Sequence, residues 1–193
     1  MKRNILNYVV LFLVLSAFLS VLGACPVKNP TLMADPNPPF FQDITPPQGP
    51  WDVEQKHGKG YYAKFYTHRK LPVMIVATFG NIPGDPNVNM TDPKNQQALA
   101  EHALKGVCNG LEINCLVRSS DVAWIIGSPL KYVYVRFMAQ KAGHPVMKGL
   151  LYSRYDAPIQ TLYLLIAPSE VFDTYEGVFL DYIGSAKFNP ELQ

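Results

Sequence analysis

The sequence predicts an α+β fold, one antiparallel β-sheet packed with helices in a single domain. Three observations carry that prediction. Strand-like runs at residues 131–139, 146–155 and 160–167 follow one another across short polar turns. Helix-like segments precede and follow them, near residues 93–110 and after Pro168. The 193-residue chain, once its N-terminal segment is set aside, is long enough for one core and short for two.

The chain starts with Lys2 and Arg3, continues through an uncharged apolar run from Ile5 to Leu22, and reaches Leu22-Gly23-Ala24-Cys25. That is the layout of a secretory signal. The tetrapeptide resembles the lipobox of bacterial lipoproteins, which implies removal of residues 1–24 and a lipidated thiol at Cys25. The alternative is a transmembrane anchor, since about 20 apolar residues span a bilayer. A cysteine directly after a small-residue pair at the end of the apolar run favours the lipoprotein. Two or three acyl chains hold a protein firmly where one binds reversibly, so the expected first partner is a membrane. Pro26 follows Cys25 in place of the Asp that resembles an inner-membrane retention signal. The expected location is therefore the bacterial cell envelope, lipid-anchored at the outer membrane and facing the periplasm.

Lys and Arg total 17 against 15 Asp and Glu, and loss of Lys2 and Arg3 balances the two signs. Near-neutrality argues against a nucleic-acid partner, whose binding would need a basic patch to displace counterions. With Cys25 lipidated, Cys108 and Cys115 remain as an even pair in an exported protein. An oxidising compartment predicts a disulfide between them, the alternative being two buried reduced thiols.

Residues 25–50 hold eight of the 17 prolines and read as a tether, extended at about 3.1 Å per residue where it adopts polyproline II. Phe40 and Phe41 are unusual in a spacer and are expected to pack on the domain or to serve as a short docking segment. The globular domain is assigned to residues 51–193. Residues 60–67 are aromatic-rich in the manner of strands, and residues 71–79 form a short apolar run suited to a buried strand, with His68-Arg69-Lys70 as the turn. Residues 80–93 carry Pro-Gly-Asp-Pro and Met-Thr-Asp-Pro and read as a loop. Thr91 or Asp92 can cap a helix with Pro93 in its first turn, ending between Gly106 and Gly110. Residues 113–117 and 122–126 read as two short strands divided by Arg118-Ser119-Ser120-Asp121. The three strong strands then form an antiparallel meander, because parallel pairing needs a crossover of a dozen or more residues. Ser169 can cap the last helix, whose apolar positions Phe172, Tyr175, Val178, Phe179, Tyr182 and Ile183 recur at helical spacing as a core face. Glu170, Asp173, Glu176 and Asp181 are expected to face away.

Catalytic constellations are weak. His57, His68, His102 and His144 lack the spacing that brings two onto one metal, and each reads as a solvated surface residue. Gly127-Ser128-Pro129 departs from the nucleophile elbow, which needs a helix after the serine where a strand is predicted here. Gly58-Lys59-Gly60 is no phosphate cradle, and Asp85, Asp92 and Asp121 read as turn or cap residues. No catalytic residue, metal site or cofactor is therefore assigned. Tyr132, Tyr134, Arg136, Tyr152 and Arg154 alternate along the meander and suggest an exposed face of Tyr and Arg, types enriched at interfaces. The alternative is a solvated sheet face with no partner.

The element order, with the ending Tyr182-Ile183-Gly184-Ser185-Ala186-Lys187-Phe188, resembles the PsbP/DcrB-type domain. That resemblance implies a curved antiparallel sheet with a final helix packed on it, over roughly residues 51–188. It transfers no functional residue. The functional expectation is a non-enzymatic accessory or assembly lipoprotein that binds another envelope protein. A small-ligand-binding lipoprotein with a pocket between sheet and helix is the alternative, and an envelope hydrolase ranks third.

Overall fold

Seven antiparallel strands build one large sheet. The computed structural model describes residues 41–58, 61–81, 88–89, 92–110, 112–124, 131–141, 143–156 and 159–188. Seven strands are β2 (Trp51–Gly58), β3 (Tyr61–His68), β4 (Met74–Asn81), β5 (Asn114–Trp124), β6 (Lys131–Gln140), β7 (Met147–Asp156) and β8 (Ile159–Pro168). They lie in the order β2-β3-β4-β8-β7-β6-β5, with every neighbouring pair antiparallel. The predicted meander is β6-β7-β8, in register from Val133 opposite Ser153 to Asp156 opposite Ile159. A separate two-stranded ladder joins β1 (Phe41–Asp43) to β9 (Lys187–Phe188).

One helix covers each face. Helix α1 (Pro93–Gly110) packs across β5, β6 and β7, and helix α2 (Phe172–Gly184) packs on β8. Asp92 starts α1: its carboxylate accepts the Lys94 N–H at 2.9 Å and its carbonyl accepts those of Asn95 and Gln96. A proline next in line loses nothing, because its missing N–H is one of the donors a helix start leaves unpaired.

Coverage on both sides explains β8. Its residues are buried almost throughout, so it reads as a continuous apolar run where a half-exposed strand would alternate. The α1 side of the core is mostly aliphatic, with Val76, Leu104, Val135, Leu151 and Leu164 among its buried members. The α2 side is aromatic, with Trp51, Tyr66, Tyr132, Tyr163, Phe179 and Tyr182. Gly149 belongs to the α1 side by necessity. A Cβ there would overlap the ring of Phe137, which crosses over it from the paired strand.

Several expectations change. β2 was not anticipated as a strand; its residues are mostly charged or polar because it is an edge with little to bury. The two short strands expected at 113–117 and 122–126 are one strand, β5, continued through a bulge between Val117 and Ser119. Ser169 does not cap α2: Val171 holds that position without a side-chain cap, and the Ser169 hydroxyl points to the Val146 carbonyl instead. The Pro-rich segment does not stop short of the domain. β1 pairs within it, Ile44 packs on the α2-side core and Pro47 is buried, so the ordered unit reaches back at least to Phe41. Ser185 fixes that junction, accepting the Thr45 N–H at 3.0 Å while its hydroxyl donates to the Tyr182 carbonyl at 2.7 Å.

Candidate functional site

Register places Tyr132, Tyr134, Arg136, Tyr152 and Arg154 on a single face of the sheet, as alternation along the strands requires. The face is only partly exposed, with Tyr134, Arg136 and Arg154 half-buried. α2 lies over it, leaving Tyr132 fully buried and Tyr152 nearly so, because a stripe of Phe and Tyr on the helix meets the tyrosines of the sheet. Arg136 forms a two-pronged ion pair with Glu176 of α2, through both Nη atoms. Glu176 thus faces the sheet, not solvent as its position in the helix pattern suggested. The pairing raises the Arg136 pKa further, chiefly through the hydrogen bond to Glu176. Tyr132 and Tyr152 belong to the packing under α2, while Arg136 forms a salt bridge at its rim.

Within that layer phenol meets phenol. Tyr163 lies beside Tyr132, and Tyr182 beside Tyr66, with ring centroids 6.1 Å and 5.2 Å apart. Burial pushes the Tyr163 and Tyr182 hydroxyls well above the ordinary tyrosine pKa, with the neighbouring tyrosines adding to it.

His68 also departs from its expected surface role. Its Nδ1 accepts the backbone N–H groups of Lys70 and Leu71 at 3.2 and 3.1 Å, and its ring packs edge-on against Trp51 and Tyr175. An acceptor nitrogen must be unprotonated, and burial followed by nearby Lys70 lowers its pKa. His68 closes the β3–β4 turn. His102 is exposed on α1, His144 is half-buried in the β6–β7 turn, and His57 lies in β2 opposite Tyr62. Among the described residues no cluster of His, Cys, Asp or Glu could hold a metal ion, and no helix is long and apolar enough to cross a membrane. Cys25, Asp85 and Gly127-Ser128-Pro129 lie outside the described residues.

Cys108 and Cys115 form a disulfide, with Cα atoms 6.0 Å apart. It ties the end of α1 to the start of β5 across a sharp turn in which Glu112 takes a left-handed φ of 53°. β5 is held further by a small polar network with α1: the Ser120 hydroxyl donates to Glu101 at 2.9 Å and accepts from Gln97 at 2.6 Å.

The unclaimed surface is the outer edge of β5. Among the described residues strand order leaves this edge unpaired, and it carries Leu116, Val117, Val122 and Trp124 at 55, 43, 38 and 62 % exposure. Lys131 sits 4.9 Å from the Trp124 ring centroid, a cation–π contact at the rim. The opposite edge, β2, is built differently. Asp52 pairs with Arg69 and Glu54 with Lys56, the charged dressing that protects a free edge from association. Sequence reasoning missed β5 because the bulge broke its alternation into two fragments.

No protein-family model matches the chain, and no curated protein does. Among solved structures it is similar to the solution structure of cyanobacterial PsbP (CyanoP) from Synechocystis sp. PCC 6803. The likeness has 10% sequence identity and a TM-score of 0.50, and covers 71% of this chain and 92% of that one. CalU16 from Micromonospora echinospora overlaps more loosely, at 13% identity over 74% of this chain and 87% of that one, and its TM-score of 0.25 carries no argument. At such identity the likeness concerns architecture alone: the chain has a PsbP-like α+β fold, as its order of elements predicted.

Proposed function

We propose that the chain is a lipid-anchored, non-enzymatic accessory protein of the cell envelope, held through Cys25 and acting by binding another envelope protein. The exposed apolar edge of β5 carries the binding part of this reading, because among the described residues the outer side of this long strand has no partner strand. Strand addition to such an edge gains backbone hydrogen bonds, while the side chains on either face set specificity. The anchor rests on the basic start, the apolar run and Leu22-Gly23-Ala24-Cys25. The Pro-rich segment that follows supplies reach, and it meets the domain at the β1–β9 end.

Two measurements test the two parts. Cys25→Ser should move the protein from the membrane to the soluble fraction, and continued membrane association would remove the anchor. A photo-crosslinking residue at Trp124 or Leu116 should give a defined adduct in cells, while one at Glu54 on β2 should not. Equal labelling from both edges, or none from β5, would remove β5 as the docking site.

A further inference from the structure

We infer that the α1-side flank of β5 rests on an anionic bilayer surface, the membrane that holds Cys25, so that the partner protein is met at that surface. This inference rests on the lipid-anchor part of the reading above and adds a second ligand, a lipid surface, beside the strand edge.

The strand register separates two flanks of β5. Val117, Val122 and Trp124 stand opposite Phe137, Val133 and Lys131, on the side that α1 covers. Leu116 and Asp121 stand opposite Met138 and Tyr134, on the α2 side, where Arg118 also reaches to donate to the Met138 sulfur at 3.1 Å. In an unbroken strand Val117 and Val122, five positions apart, would lie on opposite sides. The bulge leaves Arg118 as the extra residue and brings both valines to one side with Trp124.

α1 adds charge to the same flank. Gln97 and Glu101 bond the Ser120 hydroxyl, which fixes the side of the helix that meets β5. Lys94 and Lys105 lie one turn before and one turn after these residues, on that side, and both are exposed. Lys131 completes the set beside Trp124. Three ammonium groups thus surround three exposed apolar side chains, and the acid among them, Glu101, accepts hydrogen bonds from Gln97 and Ser120. The far side of the molecule has the opposite composition. α2 carries Asp173, Glu176 and Asp181 with no Lys or Arg, and Glu170 precedes it. Arg136 and Lys148 of the sheet offset two of these acids, and an excess of acid remains. The chain is nearly neutral as a whole, but its signs are segregated, and an anionic surface turns the α1 side toward itself.

The side chains suit a headgroup layer. Indole favours the boundary between headgroups and acyl chains, and the Lys131 ammonium, 4.9 Å from the Trp124 ring centroid, is placed to meet phosphate there. The open backbone edge of β5 keeps the contact at this depth, because its polar groups could not be left in hydrocarbon. Leu116, Arg118 and Asp121 stay clear for a partner strand. Phe41 is the sixteenth residue after Cys25, so the two are separated by at most about 55 Å. A domain of this size is about 40 Å across. The tether therefore confines the domain to the bilayer without choosing its side, and under that confinement a contact too weak to hold a free protein is sufficient.

The test reconstitutes the full lipoprotein in vesicles of phosphatidylcholine with about 30% phosphatidylglycerol, or of phosphatidylcholine alone, both with brominated acyl chains. The chain has two tryptophans, and Trp51, buried on the opposite edge strand, is the internal control. Bromine should quench Trp124 at least about twofold in the anionic vesicles, and Trp124→Phe should abolish that quenching. Lys94→Gln with Lys105→Gln, or omission of phosphatidylglycerol, should weaken the quenching by about threefold or more. Arg118→Gln, on the other flank, should leave it unchanged. Circular dichroism and retention of the Cys108–Cys115 disulfide check that each variant is folded.

An unquenched Trp124 in anionic vesicles, or quenching indifferent both to the two lysines and to lipid charge, would overturn the inference. Flotation reports the anchor separately: a protein that floats with neither vesicle loses the anchor and the contact together. If Trp124 is unquenched while a cross-linker at Leu116 still captures an envelope protein in cells, the docking reading stands without the membrane contact. If Trp124 is quenched and no protein adduct forms at Leu116, the membrane contact stands and the docking reading falls.

Discussion

The two faces of the sheet are covered by helices that grip in different ways. α2 buries Phe172, Phe179, Tyr182 and Ile183 against an aromatic surface and needs no covalent help. α1 buries the smaller side chains Ala100, Leu104, Val107 and Cys108, and its last turn is held to β5 by the disulfide. Large rings bring much area per residue, about 150–250 Å² each; a helix that offers alanine and valine brings less. The bond thus reinforces the less adhesive helix at the point where the chain must turn sharply into an edge strand. The difference teaches that the faces have different chemical sensitivities. Redox state acts on the α1 side, and pH acts on the α2 side, where the buried phenols and His68 are found.

The largest expected effect is on the aromatic face. Phe179→Ala should cost about 3–5 kcal/mol by deleting a fully buried ring from the centre of the α2 contact. Denaturant unfolding measures it, and a loss under about 1 kcal/mol would show that α2 is not held by this packing. On the other face, Cys108→Ala with Cys115→Ala should cost about 2–3 kcal/mol, as expected for a short cross-linked loop. Hydrogen exchange should then speed up in the last turn of α1 and the start of β5 while α2 stays protected. Uniform loss of protection would erase the proposed division between the faces. Gly149→Ala should cost about 1–3 kcal/mol by overpacking, since the new methyl meets the Phe137 ring. The same denaturant midpoint reads it, and an unchanged midpoint would show that the ring can move aside.

The smallest effects are those of pH. Tyr163 and Tyr182 hold folded pKa values above the unfolded value of about 10. Their contribution is therefore complete below about pH 10 and is lost as pH rises through the folded values. His68 has the opposite sign: its folded pKa lies below the unfolded value of about 6.5, so stability is complete above that pH and declines beneath it. Tyr163→Phe should flatten the alkaline limb without touching the acid limb. A variant as alkali-sensitive as wild type would assign that limb to other groups.

How much of this was legible depends on the range of the forces involved. The β6-β7-β8 meander was readable because alternation and short turns are local properties. So was the α1 start, where Asp92 and Pro93 carry their signal within one turn. β5 was read as two pieces because an inserted residue shifts the period that reveals a strand. β1 escaped notice because its partner, β9, lies at the far end of the chain.

The tyrosines and arginines of the meander show the limit most sharply. Their residue spacing alone placed them on one face, since backbone geometry sends alternate side chains to the same side. Whether that face met water or α2 was a question of long-range packing. Only the tertiary structure decided it, because an amphipathic stripe states that it needs a cover without stating which surface will supply it. The same holds for the Cys108–Cys115 pair: an even number of cysteines in an exported chain suggests a bond, but closure depends on the turn that brings their Cα atoms to 6.0 Å.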